Sequence, residues 1–405
     1  MATAPFAIAI VGRACVLPGA LSPEQLWEVA ASGRDCLAGA DDARWRVERG
    51  DVATTPDRSD GDRTWTDRGG YVSGFDSVWQ PQGFAVAPSE LEGLDPLYHW
   101  LLHTARAALR DAGDAREGQV DRSRVGAVFG NLGFPSVEMS RHAETTWLAE
   151  LAQHERKPDP RNRFMGGGAA ELLARALGLA PQGVHGLDTA CASSLYAIKL
   201  ACDRLREGEA DVMLAGAVNR ADDLFLHIGF CALDALSRSG RSRPFHAEAD
   251  GLVPAEGCAF LVLERLDDAR RLGHRVHGIV RGVGLSNDGR GRGFLAPSEA
   301  GQRRAIAGAY ARGGIDPREV SLLECHATGT VVGDGTELRS SAAVFAERER
   351  GSAQCEYGPP RRGQAPRALH YRNPQCGPHH TKIACVWRDP DNHEIPAKFG
   401  LEPKR

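Results

Sequence analysis

Lysine is nearly missing from this chain. Of its 49 basic residues only five are Lys (Lys157, Lys199, Lys382, Lys398 and Lys404), and three of these fall in the last 24 of 405 residues. The composition therefore changes character close to the C-terminus. An excess of one charge sign is missing too: 49 basic residues face 53 acidic ones, for a net charge of -4, which excludes a basic nucleic-acid binder. No apolar run reaches the roughly 18 residues that a membrane span requires, so no membrane association is expected. The apolar start at Phe6–Gly12 lacks the basic flank of a signal peptide and reads as a first buried strand. Ten Cys without regular spacing in so long a chain argue for reduced thiols and a cytoplasmic setting, not for a disulfide framework. With 42% hydrophobic and 25% charged residues, neither a disordered nor a fibrous class fits, and the length suffices for a sizeable core.

What is present is an alternation of strands and helices over the first 345 residues. Phe6–Gly12, Val125–Phe129, Val212–Ala215, Ala259–Leu263, Val276–Val283 and Val320–Glu324 are short apolar runs of the kind that fill a buried sheet. Ser22, Pro23 and Gln25 form a helix start that ends near Gly33, with Ser22 as N-cap, Pro at the first position and a capping-box Gln. Asp95-Pro96 opens another helix, with Leu97, Leu101, Ala105, Ala108 and Ala112 on one face and Gly113 as its stop. A Gly-rich turn at 166–168 precedes a helix to Leu177. Ala192–Glu207 and Gln302–Arg312 have helical composition. Such alternation predicts an α/β protein with βαβ crossovers and a largely parallel, doubly covered sheet. From about Arg348 the order dissolves. The stretch 351–405 is Pro-rich, holds four His and three Cys, and predicts an irregular tail. An altered reading frame near the end of the gene would produce such a shift.

Two segments carry candidate chemistry. Cys191 stands between an apolar approach and a helix that begins at once. There the helix dipole favours a thiolate and a developing oxyanion, and Ala190, Ala192, Ser193 and Ser194 are small enough for a sharp turn. A buried structural thiol is the competing reading. His326, in Glu324-Cys-His-Ala-Thr-Gly-Thr330, follows a predicted strand at the kind of sheet edge where α/β proteins collect ligands. An imidazole there can donate to a thioester carbonyl or move a proton, although a lone His is as readily a packed or surface residue. Thr328 and Thr330 offer hydroxyls to a polar ligand arm, or serve ordinary turn chemistry. Asp334 reads as a helix cap with structural duty. Cys376, His379, His380, Cys385 and His393 in the tail lack the second ordered pair of a zinc site, so no metal is expected. Neither Gly166-Gly-Gly168 nor Gly130-Asn-Leu-Gly133 matches a phosphate or dinucleotide loop.

Taken together, these segments resemble a β-ketoacyl synthase, the condensing domain of polyketide and fatty-acid synthases. The resemblance runs over roughly residues 6–345. It rests on Ile8-Ala-Ile-Val-Gly-Arg-Ala-Cys15 with Leu17-Pro-Gly19 and Glu24-Gln-Leu-Trp27, and on Asp188-Thr-Ala-Cys-Ala-Ser-Ser-Leu195 with Ala210–Gly216. It continues in Ser286-Asn-Asp-Gly289, Ala296-Pro-Ser298 and Gln302, and in Glu324–Thr330 with Gly333, Asp334 and Glu337. The resemblance implies a thiolase-like fold of two βαβ-rich halves in a five-layer αβαβα arrangement. The expected division is a nucleophile half (1–270), a partial second half bearing the first histidine motif (271–347), and the atypical tail (348–405). It implies an acyl-accepting nucleophile at Cys191, a catalytic histidine at His326, pantetheine contacts at Thr328 and Thr330, and structural roles near the site for Asp188, Asp334 and Glu337. No bound cofactor is expected; substrates would arrive on the phosphopantetheine of an acyl-carrier protein, and a homodimer is expected.

The departures from the pattern are Ala327 for Gly, Gly335 for Pro and His246 for Asp. A larger one is the lack of a clear Lys-containing strand ending in Gly-His, the family's second catalytic histidine, and of the Gly-rich closing segment. His379-His-Thr-Lys382 echoes that motif and makes His380 a candidate. The second half is thus expected to be incomplete. Acyl transfer to Cys191 is expected to outlast the decarboxylative condensation with a malonyl-type extender. The alternatives are a non-elongating transacylase or decarboxylase, and a catalytically silent carrier-docking partner or truncated gene product.

Overall fold

The computed structural model describes residues 7–41, 44–45, 47–57, 61–113, 121–132, 159–162, 166–220, 224–289, 296–320 and 322–345, and the backbone of 381–388. Its strands are β1 Ile8–Val16, β2 Leu37–Gly39, β3 Arg68–Gly70, β4 Val125–Asn131, β5 Val184–Leu187, β6 Val212–Asn219, β7 Gly257–Arg265, β8 Gly278–Asn287 and β9 Thr381–Arg388. Its helices are α1 Pro23–Ser32, α2 Arg49–Val52, α3 Pro88–Leu91, α4 Pro96–Asp111, α5 Gly166–Leu177, α6 Ser193–Glu207, α7 Leu224–Ala232, α8 Leu266–Arg271, α9 Glu299–Gly313 and α10 Val331–Phe345.

Seven strands form one sheet in the order β5-β4-β6-β7-β1-β8-β9, and β2 and β3 pair separately. Helices α4 and α5 cover one face over a core that includes Val11, Leu101, Phe129, Leu173 and Phe260. Helix α6 covers the other face over Ile8, Val128, Met213, Leu263 and Val283. Two-sided coverage explains why the strands read as continuous apolar runs and not as alternations. Helix α9 closes on β8 at glycines: a Cβ at Gly282 would lie 2.2 Å from the Ala309 carbonyl oxygen, and one at Gly284 1.9 Å from that of Ala305.

The expected helix starts form as the capping chemistry dictates. Ser22 accepts from the Gln25 N–H at 3.3 Å, Pro23 opens α1, and Gly33 ends it at φ 64°. Asp95 accepts from the Leu97 N–H at 2.9 Å to start α4. The glycines at 166–168 are not a turn before α5 but its first residues.

The sheet differs from the largely parallel expectation. Among the described residues of this sheet only the β4–β5 and β4–β6 pairs are parallel. Strand β7 runs antiparallel to both β6 and β1, β8 antiparallel to β1, and β9 antiparallel to β8. A parallel neighbour needs a helix that crosses over the sheet. The helix between β6 and β7 is α7, whose Leu224 packs with Ala40, Trp45 and Val52 and whose Phe230 packs with Leu236 and Leu252. These are satellite cores away from the sheet, and the chain returns antiparallel.

Two further expectations change. Val320–Glu324, read as a strand, is in no ladder among the described residues, and Leu322 is exposed. An apolar run becomes a strand only where a neighbour accepts its backbone hydrogen bonds. Conversely, within 348–405, read as irregular, Thr381–Arg388 is a strand paired along β8 from Asn287↔Thr381 to Ile279↔Arg388. Its Ile, Val and Trp content suits a strand, but its surroundings hide the signal. Among the described residues no helix is long and apolar enough to cross a membrane.

Candidate active site

Cys191 sits in a single 3-10 turn, Ala190–Ala192, between the end of β5 and the start of α6. Three features bend the chain so sharply. Ala190 takes a left-handed backbone at φ 52°, unusual for a residue with a Cβ. Its N–H is held by Asp188 Oδ1 at 2.8 Å. Ser193, fully buried, accepts from the Thr189 N–H at 2.9 Å and donates to the Ala190 carbonyl at 2.7 Å, pinning the turn from inside. The room for Ser193 comes from Gly130 on β4, where a Cβ would lie 2.4 Å from that of Ser193. Cys191 is half-buried at the N-terminal end of a 15-residue helix, whose dipole favours negative charge there.

The other thiols show what burial does without such a setting. Desolvation pushes the thiols of Cys15 and Cys325 up to about 12, and that of Cys258 higher still. The seven cysteines whose side chains are described are thiols, with no disulfide among them.

His326 lies in the extended segment before α10 and is exposed. Two carboxylates from the first turns of α10 hold that segment. Glu337 accepts from the N–H groups of His326 at 2.6 Å and Ala327 at 2.9 Å. Asp334, buried, accepts from Gly329 N–H at 3.0 Å and from Phe245 N–H at 2.6 Å, a loop of the first half. The expected cap at Asp334 is therefore a clamp within the helix, not the residue before it. Burial pushes its carboxyl up, against the two N–H groups that pull it down. The Gly329 carbonyl in turn accepts from Gly251 N–H at 2.9 Å. Ala327 and Phe245 both stand at positive φ, 49° and 59°, so the bonds on either side of each hold strained backbone.

Thr328 and Thr330 place their hydroxyls 2.9 Å apart. Both lie over Gly333, where a Cβ would come within 2.4 Å of Thr330 Oγ1 and 2.9 Å of Thr328 Oγ1. Gln302 on α9 accepts from the buried Ser340 hydroxyl at 2.5 Å and fixes α10 to α9. His380 and the other tail residues suggested as ligands lie outside the described residues, apart from the backbone of Cys385. Among the described residues no group of three or more His, Cys, Asp or Glu is arranged to hold a metal.

The structure thus joins Asp188 to the Cys191 turn, and Asp334 and Glu337 to the His326 segment. Sequence reading missed Ser193, Gly130, Phe245 and Gly251. Ser193 was visible only as a small residue, and the rest carried no local signal because each acts on a residue at least 60 positions away.

A sharp strand-to-helix turn bearing a half-buried thiol stands on an α/β sheet covered on both faces, and the architecture is that of the thiolase-like fold. The chain matches the β-ketoacyl synthase N-terminal domain over residues 6–269 and the β-ketoacyl synthase C-terminal domain over 277–360, and it belongs to the β-ketoacyl synthase family. It is 36% identical over 358 residues to a phenolphthiocerol/phthiocerol polyketide synthase of Mycobacterium tuberculosis, covering 87% of this chain and 18% of that protein. It is 37% identical over 352 residues to the pikromycin polyketide synthase component PikAII of Streptomyces venezuelae, covering 84% and 9%. The chain therefore spans a small fraction of the length of these relatives. Among solved structures it resembles the PfaC keto synthase-chain length factor, with a TM-score of 0.76 and 35% identity over 85% of this chain and 38% of that one. It also resembles the ketosynthase from module 6 of the bacillaene synthase of Bacillus subtilis 168, with a TM-score of 0.71 and 28% identity over 86% and 56%.

Proposed function

We propose that this chain accepts an acyl group from a carrier-bound pantetheine thioester onto Cys191, the first half-reaction of a β-ketoacyl synthase. The observation that carries this reading is the Cys191 turn: a half-buried thiol at a helix N-terminus, on backbone held left-handed at Ala190 and pinned by Ser193 and Asp188. The thiolate attacks the thioester carbonyl, and the tetrahedral oxyanion forms in the field of the α6 N-terminus. Collapse breaks the bond to the pantetheine sulfur, which leaves as a thiol after taking up a proton, and Cys191 is left as the thioester. Thr328 and Thr330 are the hydroxyls offered to the pantetheine arm. In the second half-reaction a malonyl-type extender loses CO2, with His326 donating to the enolate oxygen; its carbanion attacks the acyl carbonyl, and the bond to Cys191 Sγ breaks to return the thiolate.

That second step depends on paired imidazoles in this family, and loss of one such donor costs about 10²–10³ in rate. The extended segment bearing His326 has no ladder neighbour among the described residues, and that favours a chain that loads better than it condenses. A carrier protein as acyl donor, a homodimer and a cytoplasmic setting belong to the same reading. Intact-mass measurement after incubation with an acyl-carrier thioester tests it. The expected result is an acyl-sized gain in the full chain and none in Cys191→Ala. A gain that survives Cys191→Ala, or no gain in folded protein, would overturn it.

A further inference from the structure

Strand β9 lies outside the residues matched to the family domains and outside the site above. It pairs with β8 along nearly the whole strand, with Val283 opposite Cys385 and Asn287 opposite Thr381. It closes an edge that would otherwise leave the backbone groups of β8 open. The residues of β8 beneath it belong to the core: Ile279, Val280 and Val283 are buried. Strand β9 also packs on α9, runs beside α6, and comes within contact distance of the turn Ala190–Ala192 that carries Cys191. One segment of the tail therefore meets both the open edge of the sheet and the nucleophile turn.

From this juxtaposition we propose that Thr381–Arg388 is a wall of the Cys191 site, a strand recruited from the atypical tail that seals the sheet edge and limits access to the thiol. The proposal rests on the reading of Cys191 as the acyl acceptor. The docking of the strand is testable without any acyl transfer.

The register supplies the test. In an antiparallel pair, directly opposed Cα atoms lie about 4.5–5.5 Å apart, within the span of a disulfide. A Val283→Cys substitution in the full chain puts a second thiol opposite Cys385. Diamide, which takes up the two hydrogens as the sulfurs join, is expected to link position 283 to Cys385, as mapped by peptide mass; the same variant with Cys385→Ser gives no such link. Alkylation of Cys191 by iodoacetamide, followed by site-resolved mass spectrometry, then reads access. It is expected to be several-fold faster in Ile383→Pro/Ala384→Pro than in the unaltered chain. Successive strand N–H groups point to opposite sides, so one of the two prolines removes a bond to β8 whichever residue faces it. Should that variant not fold, the bridged and reduced forms of Val283→Cys are compared, and the bridged form is expected to react more slowly. No link to Cys385 overturns the proposal. A link formed with no change in Cys191 alkylation in either comparison also overturns it. Absence of acyl uptake in the folded, unaltered chain, with the link to Cys385 still forming in the Val283→Cys variant, would instead remove the acyl-acceptor reading and leave the strand in place.

Discussion

The two chain segments that carry the candidate chemistry are held by opposite means. The Cys191 turn is packed: Gly130 gives Ser193 its space, Ser193 is fully buried, and β4, β5 and β6 are laddered around it. The His326 segment is tethered: its backbone hangs from two carboxylates of α10, while Leu322, Val331 and Val332 stay exposed beside it. The difference teaches where each is vulnerable. A packed turn fails when volume is added, and a tethered one when a charge is removed.

The largest effect is expected from Asp334→Ala. It leaves the N–H groups of Phe245 and Gly329 without their acceptor, which should cost about 2–6 kcal/mol in denaturant unfolding, from about 1–3 for each group. Gly130→Ala tests the packed side. Its new Cβ meets that of Ser193, and overpacking of this kind costs about 1–3 kcal/mol, with acyl uptake falling alongside. Equal loss of acyl uptake in the two variants at matched stability would break the comparison, because only Gly130 supports the Cys191 turn.

A smaller effect lies in the acid limb of stability, where one carboxylate in each half titrates in the opposite sense. Asp211, bonded by Arg124 and Arg265, is held down to about 2. Its contribution is complete above the unfolded value of 3.8 and is lost as pH falls toward 2. With its side chain 42% exposed, solvent screening keeps that contribution below about 1 kcal/mol. Asp334 is pushed up, so its ionised form weakens the fold, and its contribution is lost as pH rises through its raised value. Urea titrations between about pH 5 and 3 should therefore show a shallower acid loss in Asp211→Asn and a steeper one in Asp334→Asn than in the unaltered chain. The smallest effect is expected from Ala327→Gly. Relief of the positive φ is partly offset by the added freedom of the unfolded chain, for a gain of about 0.5 kcal/mol.

Local chemistry was legible and partnership was not. Ser22-Pro23, Asp95-Pro96 and the apolar strands declare themselves because caps and burial act within a few residues. Cys191 was legible for the same reason, since a small-residue turn and a following helix are adjacent in sequence. The direction of β7 was hidden because it depends on where α7 docks. Val320–Glu324 has a strand's composition and no described neighbour, while Thr381–Arg388 has a neighbour and a context that reads as loop. Phe245 and Gly251 were invisible because their bonds cross 89 and 78 positions to Asp334 and Gly329.

The Asp334 clamp also ties two protons to one event. The N–H groups of Phe245 and Gly329 sit 84 residues apart yet share a single carboxylate acceptor. The two bonds go to the two oxygens of that carboxylate, so a rotation of the Asp334 side chain that releases one releases the other. In amide exchange the pair should behave as one cooperative unit spanning both halves of the chain. Opening of the His326 segment would then be registered at Phe245, in a loop that sequence alone assigns to the other half.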